Sequence, residues 1–378
     1  MSKHAPAAPP GSTNALARMW SKVPLQTAHW ALDWMLLAVP VAVLARYVFH
    51  AGPLFIFAAA ALAIVPLAST LGEATEQLSE HVGERIGGLL NATMGNATEM
   101  IIAIFAIAAG HEEIVKASLS GSIIGNILLV FGLSAFVGGL GRHKQTFSPT
   151  AVGMNTTMLF ISAISLITPA IYELSQYGEL RAHSAVIDRL SLWTSVVLIL
   201  LYGLSILFTF TRRETRGAHA GATPAVSKIF AVISLVVATL LIAWLSDILV
   251  EQLEEAKKLL GWSNVFLGVV VVATVGNAAE HATAVIMARK NKMDLAIAIA
   301  AGSSAQIAMF VAPVLVFFAW AIGKPLALIF SPLEIAGIAL AVGVVHMITH
   351  DGETNWFEGA ALLAVYAILA IAFFYVPA

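Results

Sequence analysis

The 378-residue sequence contains no cysteine, which excludes disulfides and thiolate metal centres. Charge is scarce too. Only 11% of residues are Asp, Glu, Lys or Arg, well under the roughly 25% of an ordinary soluble domain. No long acidic or basic block is present and the formal net charge is -2, so nucleic-acid binding has no support. What fills the chain instead is apolar: 59% of residues are hydrophobic, and the mean hydropathy is +0.87. A water-solvated surface cannot be built from that composition. We read an all-α integral membrane protein whose principal partner is the lipid bilayer.

A helix needs about 20 apolar residues to cross the hydrocarbon core, and by that rule about eleven transmembrane helices are expected. They centre near residues 40, 62, 98, 126, 160, 200, 238, 275, 308, 339 and 366. Residues 1–30, rich in Ala and Pro and carrying Lys3, Arg18 and Lys22, read as a cytosolic N-terminal tail. They lack the apolar stretch and small-residue cleavage site of a signal peptide. Alternating sides from a cytosolic N-terminus places 13 Lys and Arg inside against 7 outside, with Arg212, Arg213, Arg216, Arg289, Lys290 and Lys292 concentrated inside.

The chain also repeats itself. Gly95-Asn96-Ala97-Thr98-Glu99 recurs as Gly276-Asn277-Ala278-Ala279-Glu280, a shift of 181, and Gly121-Ser122 recurs as Gly302-Ser303 at the same shift. Phe147-Ser148-Pro149 recurs as Phe330-Ser331-Pro332 at a shift of 183. Order and offset together imply a duplicated unit of five helices. An odd number makes the second copy enter the membrane from the opposite side, the inverted-repeat plan of many secondary transporters. The expected organisation is a tail (1–30), an extra first helix (31–50), one five-helix repeat (51–211), a connector (212–227) and a second five-helix repeat (228–378).

Glu99 and Glu280 fall in the middle of runs of Ala, Ile, Val and Met. A charge at the bilayer centre costs at least about 2.5 kcal/mol, so its presence there points to function. Asn96 and Asn277 each precede their Glu by three residues, which puts amide and carboxylate on one helix face. Gly95 and Gly276 permit backbone distortion beside them. Two carboxylates with amide and carbonyl oxygens make a hard-oxygen site, suited to Ca2+ rather than to a soft metal. The following helices carry Ser122 and Asn126, then Ser303, Ser304 and Gln306, again gathered on one face. Small and amide residues also join helices in membranes, and the spacing leaves ligation and helix adhesion both open.

Other polar groups carry weaker readings. Glu73, Glu76, Glu80 and Glu84 leave the second helix on a solvated face, and Glu76 is the member expected to line a cytosolic vestibule with Glu73. Asp247, Glu251, Glu254 and Glu255 occupy the matching place in the second half. His346, His350 and Asp351 have a zinc-compatible spacing at a span end, without the HExxH pattern of a catalytic site. His281 adjoins Glu280 on a different helix face, where proton carriage and helix–helix hydrogen bonding are both available to it.

At these motifs the chain resembles the calcium/proton exchanger (CAX) family of the cation/Ca2+ exchanger superfamily. The segments that carry the resemblance are GGLLNATMGNATEMIIAIFAI (87–107), GSIIGNILLVFGLSAF (121–136), GNAAEHATAV (276–285), GSSAQIAMFVAPVLV (302–316) and DGETNWFEG (351–359). The resemblance spans helices two to eleven. It implies that the two GNxxE-type helices face each other and that Glu99 and Glu280 bind Ca2+ and protons in turn. It further implies that Asn96, Asn277, Ser122, Asn126, Ser303 and Gln306 line a hydrophilic patch, with Glu76 guarding the cytosolic approach. Many members carry an acidic segment between the halves, whereas the connector here is basic, so no role of that segment is carried over.

The expected function is therefore a secondary antiporter, not an enzyme, exporting Ca2+ from the cytosol in exchange for H+ across a bacterial inner membrane. It needs no cofactor beyond its transported ions. A monovalent cation (Na+ or K+)/H+ antiporter of the same fold is the alternative, and a cation channel a more distant one.

Overall fold

A computed structural model describes residues 34–178, 180, 185–211 and 226–377. The N-terminal tail and the connector residues 212–225 lie outside them. Among the described residues the chain is helical almost throughout. The helices are α1 (Ala38–Tyr47), α2 (Pro53–Val82), α3 (Glu84–Met94), α4 (Ala97–Ala108), α5 (Glu112–Gly139), α6 (Pro149–Tyr177) and α7 (Ala185–Thr211). They continue with α8 (Lys228–Glu251), α9 (Leu253–Leu260), α10 (Asn264–Gly276), α11 (Ala278–Arg289), α12 (Met293–Ala321), α13 (Pro332–Ile348) and α14 (Trp356–Phe374).

Local chemistry sets the ends. Pro53 opens α2, where its missing N–H costs no helical hydrogen bond. A capping box opens α13: the Glu334 N–H donates to Ser331 Oγ at 3.3 Å and the Ser331 N–H to Glu334 Oε2 at 2.8 Å. Asn355 accepts from the Phe357 and Glu358 N–H groups at the start of α14. Gly261, at φ 66°, turns the chain through the left-handed region between α9 and α10. Two short strands, β1 (Gln145–Thr146) and β2 (Glu353–Thr354), pair antiparallel and tie the loop after α5 to the loop before α14.

Among the described residues seven helices are long and apolar enough to cross a membrane, or up to nine if each bent pair is one span. The bent pairs are α3 from Ile86 with α4, at 45°, and α9 with α10, at 116°. Two of the expected spans are shorter than the sequence suggested. Among the described residues α1 has 10 helical residues and α13 has 17, against the roughly 20 of an average span. The span expected near residue 98 is not one helix but two, meeting at Gly95-Asn96.

Burial sorts the helices into two layers. The apolar window of α5 is 78% buried, whereas those of α7 and α14 are 22% buried. Trp193, Leu200, Leu204, Leu240 and Ile368 point outward from α7, α8 and α14. Apolar surface of that extent is untenable in water and ordinary in lipid. The most buried spans, α2, α5 and α12, pack through small residues. A Cβ on Gly359 would lie 2.3 Å from the Phe136 N, so α14 can cross α5 only because that residue is glycine.

Candidate functional site

Both repeated motifs break a helix at the same place. Asn96 (φ -98°, ψ 17°) and Asn277 (φ -92°, ψ 4°) leave the helical region, and a new helix begins at the next residue, Ala97 or Ala278. Glu99 and Glu280 consequently stand in the first turn of α4 and α11, at the positive end of each helix dipole.

The two carboxylates are seated reciprocally. A Cβ on Gly276 would lie 2.8 Å from Glu99 Cγ, and one on Gly95 would lie 3.4 Å from Glu280 Oε1. Each Glu thus occupies the notch left by the glycine of the other motif. Both oxygens of Glu99 and Oε2 of Glu280 are buried without a hydrogen-bond partner. A bare buried carboxylate is costly, so these oxygens are chemically complete only with a proton or a cation.

Around them the predicted polar residues close into one network. Asn96 Nδ2 donates to Gln306 Oε1 at 2.7 Å, and Ser303 Oγ donates to Asn96 Oδ1 at 3.1 Å. Asn126 Nδ2 reaches both Asn277 Oδ1 and Ser303 Oγ at 3.3 Å. Asn277 Nδ2 donates to Ser122 Oγ and to the Ala273 carbonyl, each at 2.9 Å. All eight predicted site residues (Glu99, Glu280, Asn96, Asn277, Ser122, Asn126, Ser303 and Gln306) are therefore in one place. Ser304 is not: its hydroxyl turns back to the Ala300 carbonyl of its own helix.

A cavity of about 520 Å3 opens on this network from one side, lined by Gly88, Asn91, Gly95, Glu280, Ser303 and Gln306 among others. Glu280 faces it and Glu99 does not. Glu73 and Glu76, exposed on the last turns of α2, do not line it either. Three of the four opposing acidic residues are in ion pairs: Glu251 with Arg46, Glu254 with Lys257 and Glu255 with Lys258. His346 packs against Phe160, with ring centroids 6.4 Å apart. Among the described residues no group of three or more His, Asp and Glu is placed to hold a metal.

Sequence reasoning missed two features. Asn91 and Thr283 join the cavity wall; each lies four or three residues from a motif residue already chosen, a helical spacing that offered a signal. The π-helical turns at Gly125–Phe131, Leu267–Val272 and Ile307–Val311 had none. Asn126 sits in the first of these and Gln306 immediately precedes the third, consistent with the frequent placement of π turns at functional sites.

The family model described as "Sodium/calcium exchanger protein" matches residues 52–211 and 230–375. The chain belongs to this exchanger family. Among its relatives, the Ca(2+)/H(+) antiporter of Aphanothece halophytica is 39% identical over 361 residues, covering 91% of this chain and 96% of that one. The Ca(2+)/H(+) antiporter ChaA of Bacillus subtilis is 43% identical over 344 residues, covering 89% and 96%. The solved structure of native YfkE superposes with a TM-score of 0.80 at 41% identity, covering 92% of this exchanger and all of that chain. The H+/Ca2+ exchanger CAX, at 16% identity and a TM-score of 0.69, shares the fold.

Proposed function

We propose that this exchanger moves Ca2+ out of the cytosol in return for protons, with Glu99 and Glu280 carrying either ion in turn. The observation that carries the reading is the pair of reciprocally seated carboxylates with three buried, unpartnered oxygens. Relatives named as Ca(2+)/H(+) antiporters, of which this chain covers almost the whole length, support the ion pair. With both groups ionised, the site attracts a divalent cation and two bare carboxylates repel each other until one arrives. With both protonated, the site is neutral and can reorient empty of metal. Ca2+ and H+ are substrates here, and the chain's own oxygens do the chemistry.

The finer architecture belongs to the same proposal. Eleven spans, as two inverted five-helix repeats with α1 outside them, fit the matched helix breaks at Asn96 and Asn277 and the two segments matched by one family model. The N-terminus is cytosolic by the Lys and Arg distribution, in a bacterial inner membrane. The open cavity shares its end of the molecule with the loop from Arg289 to Lys292, so it faces the cytosol and collects Ca2+ at Glu280 first.

Reconstitution tests this. An imposed pH gradient should drive Ca2+ into proteoliposomes, and Glu99→Gln and Glu280→Gln should each abolish that flux. Full flux in either variant, or Na+ or K+ moving in place of Ca2+, would overturn the assignment.

A further inference from the structure

A cavity of about 520 Å3 reaches the site at Glu280, whereas a second of about 510 Å3, beside Glu112, Lys116 and Glu334, reaches neither Glu99 nor Glu280. The site is thus closed on that second side, and the residues responsible correspond through the 181-residue shift. On the closed side α5 and α10 meet through two glycines. A Cβ on Gly121 would lie 2.4 Å from both the Cα and the carbonyl oxygen of Val269. A Cβ on Gly268 would lie 2.4 Å from Ala117 Cβ and 2.6 Å from the Ile114 carbonyl oxygen. These approaches, to backbone atoms and to the small side chain of Ala117, leave room only for glycine.

Shifted by 181, Gly121 becomes Gly302, Val269 becomes Gly88, Gly268 becomes Gly87, Ala117 becomes Ala298 and Ile114 becomes Leu295. The counterparts of the Gly121–Val269 contact are apart, and Gly87 lies against α2 instead, where a Cβ would stand 2.8 Å from the Ser79 carbonyl oxygen. A Cβ on Gly302 would meet nothing nearer than Asn155 Nδ2 at 3.9 Å, and one on Gly88 would meet nothing within 4 Å. Gly88, Leu295 and Ala298 are instead walls of the 520 Å3 cavity. The space between α3 and α12 is the seam that α5 and α10 have already closed.

We infer that Gly302 and Gly88, with Ala298, form the gate that seals this cavity when the site turns to the opposite side. Closing it reproduces the α5–α10 contact in mirror order while that contact opens. One small-residue seam is exchanged for another, so the two states differ little in buried packing and both stay accessible. The inference rests on the repeat reading of the proposed function and adds the residues that make the closing contact.

The correspondence makes an asymmetric prediction. Val269 against Gly121 is the existing closed pair, so Gly88→Val recreates it against Gly302 and is compatible with closure. Gly302→Val puts side-chain atoms where the backbone of residue 88 must come, and it blocks closure although the open state has room for it. Two readouts are needed: Ca2+ flux in proteoliposomes, and the maleimide labelling rate of Ala298→Cys, a unique thiol in a chain without cysteine.

Gly302→Val should lower flux by about tenfold or more, retain Ca2+ binding in detergent, and label Ala298→Cys faster than the unsubstituted background does. Gly88→Val should lose less flux than Gly302→Val, because it recreates the Val269–Gly121 pair in the closed state. Flux near the parent value in Gly302→Val overturns the gate, as does an equal loss in Gly88→Val or slower labelling of Ala298→Cys. The thiol reading does not depend on which ion moves. If the parent protein moves no Ca2+, the proposed function fails, and faster labelling in Gly302→Val still supports the gate while equal labelling sinks it.

Discussion

Glu99 and Glu280 occupy the same place in two copies of one motif, yet the structure treats them differently. Glu280 lines the open cavity, while Glu99 is sealed away from it with both oxygens unpartnered. The neighbouring glycines differ in step: a Cβ on Gly276 would stand 2.8 Å from Glu99 Cγ, and one on Gly95 would stand 3.4 Å from Glu280 Oε1. Equivalent residues have acquired inequivalent access because the helices around them have closed on one side only. Access is a property of the conformation, whereas the chemistry belongs to the motif.

The largest effect should come from making the two carboxylates alike by removing their charge. The double variant Glu99→Gln/Glu280→Gln should show no Ca2+ exchange and no Ca2+ binding, read by flux and by calorimetry. In the conformation described, a water-soluble carbodiimide should modify Glu280 and spare Glu99, a difference that mass spectrometry resolves. Equal modification would remove the asymmetry of access.

Next come the notches. Gly276→Ala places a methyl group against Glu99 and should reduce Ca2+ flux by about fivefold or more, the equivalent of overpacking by 1 kcal/mol. Gly95→Ala should disturb its carboxylate less, because its Cβ would stand 3.4 Å from Glu280 Oε1 and meet the Asn91 carbonyl oxygen first, at 3.0 Å. The reverse order would contradict the reciprocal seating. A smaller loss attends the network between the halves. Asn126→Ala removes the donor shared by Asn277 and Ser303 and should lower stability by about 1 kcal/mol in thermal unfolding. Smallest is the surface pair remote from the site. Arg46→Gln should change stability by less than about 1 kcal/mol, because an exposed ion pair is well screened.

Much of this was written in the sequence. Carboxylates in apolar runs, paired with an amide three residues earlier and repeated at one shift, located all eight residues that the structure assembles. Charge scarcity announced the membrane before any helix was placed. Other features depend on neighbours that a single segment cannot display. The reach of Glu99 into the notch of Gly276 joins residues 177 positions apart. The amides bond mainly to one another, which spacing alone could not separate from ion ligation. Glu76 carried an expectation because acidic residues at a helix exit often collect cations, but the cavity opens along α3, α11 and α12 and not along the end of α2.

The central claim is that protons and Ca2+ compete for one pair of carboxylates. Its most direct test is the number of protons released when Ca2+ binds to the purified protein, measured by calorimetry in buffers of different ionisation enthalpy. The account predicts release approaching two protons per Ca2+ at acidic pH, weaker Ca2+ binding as pH falls, and less release in each Gln variant. Tight Ca2+ binding with no proton release at any pH would contradict it.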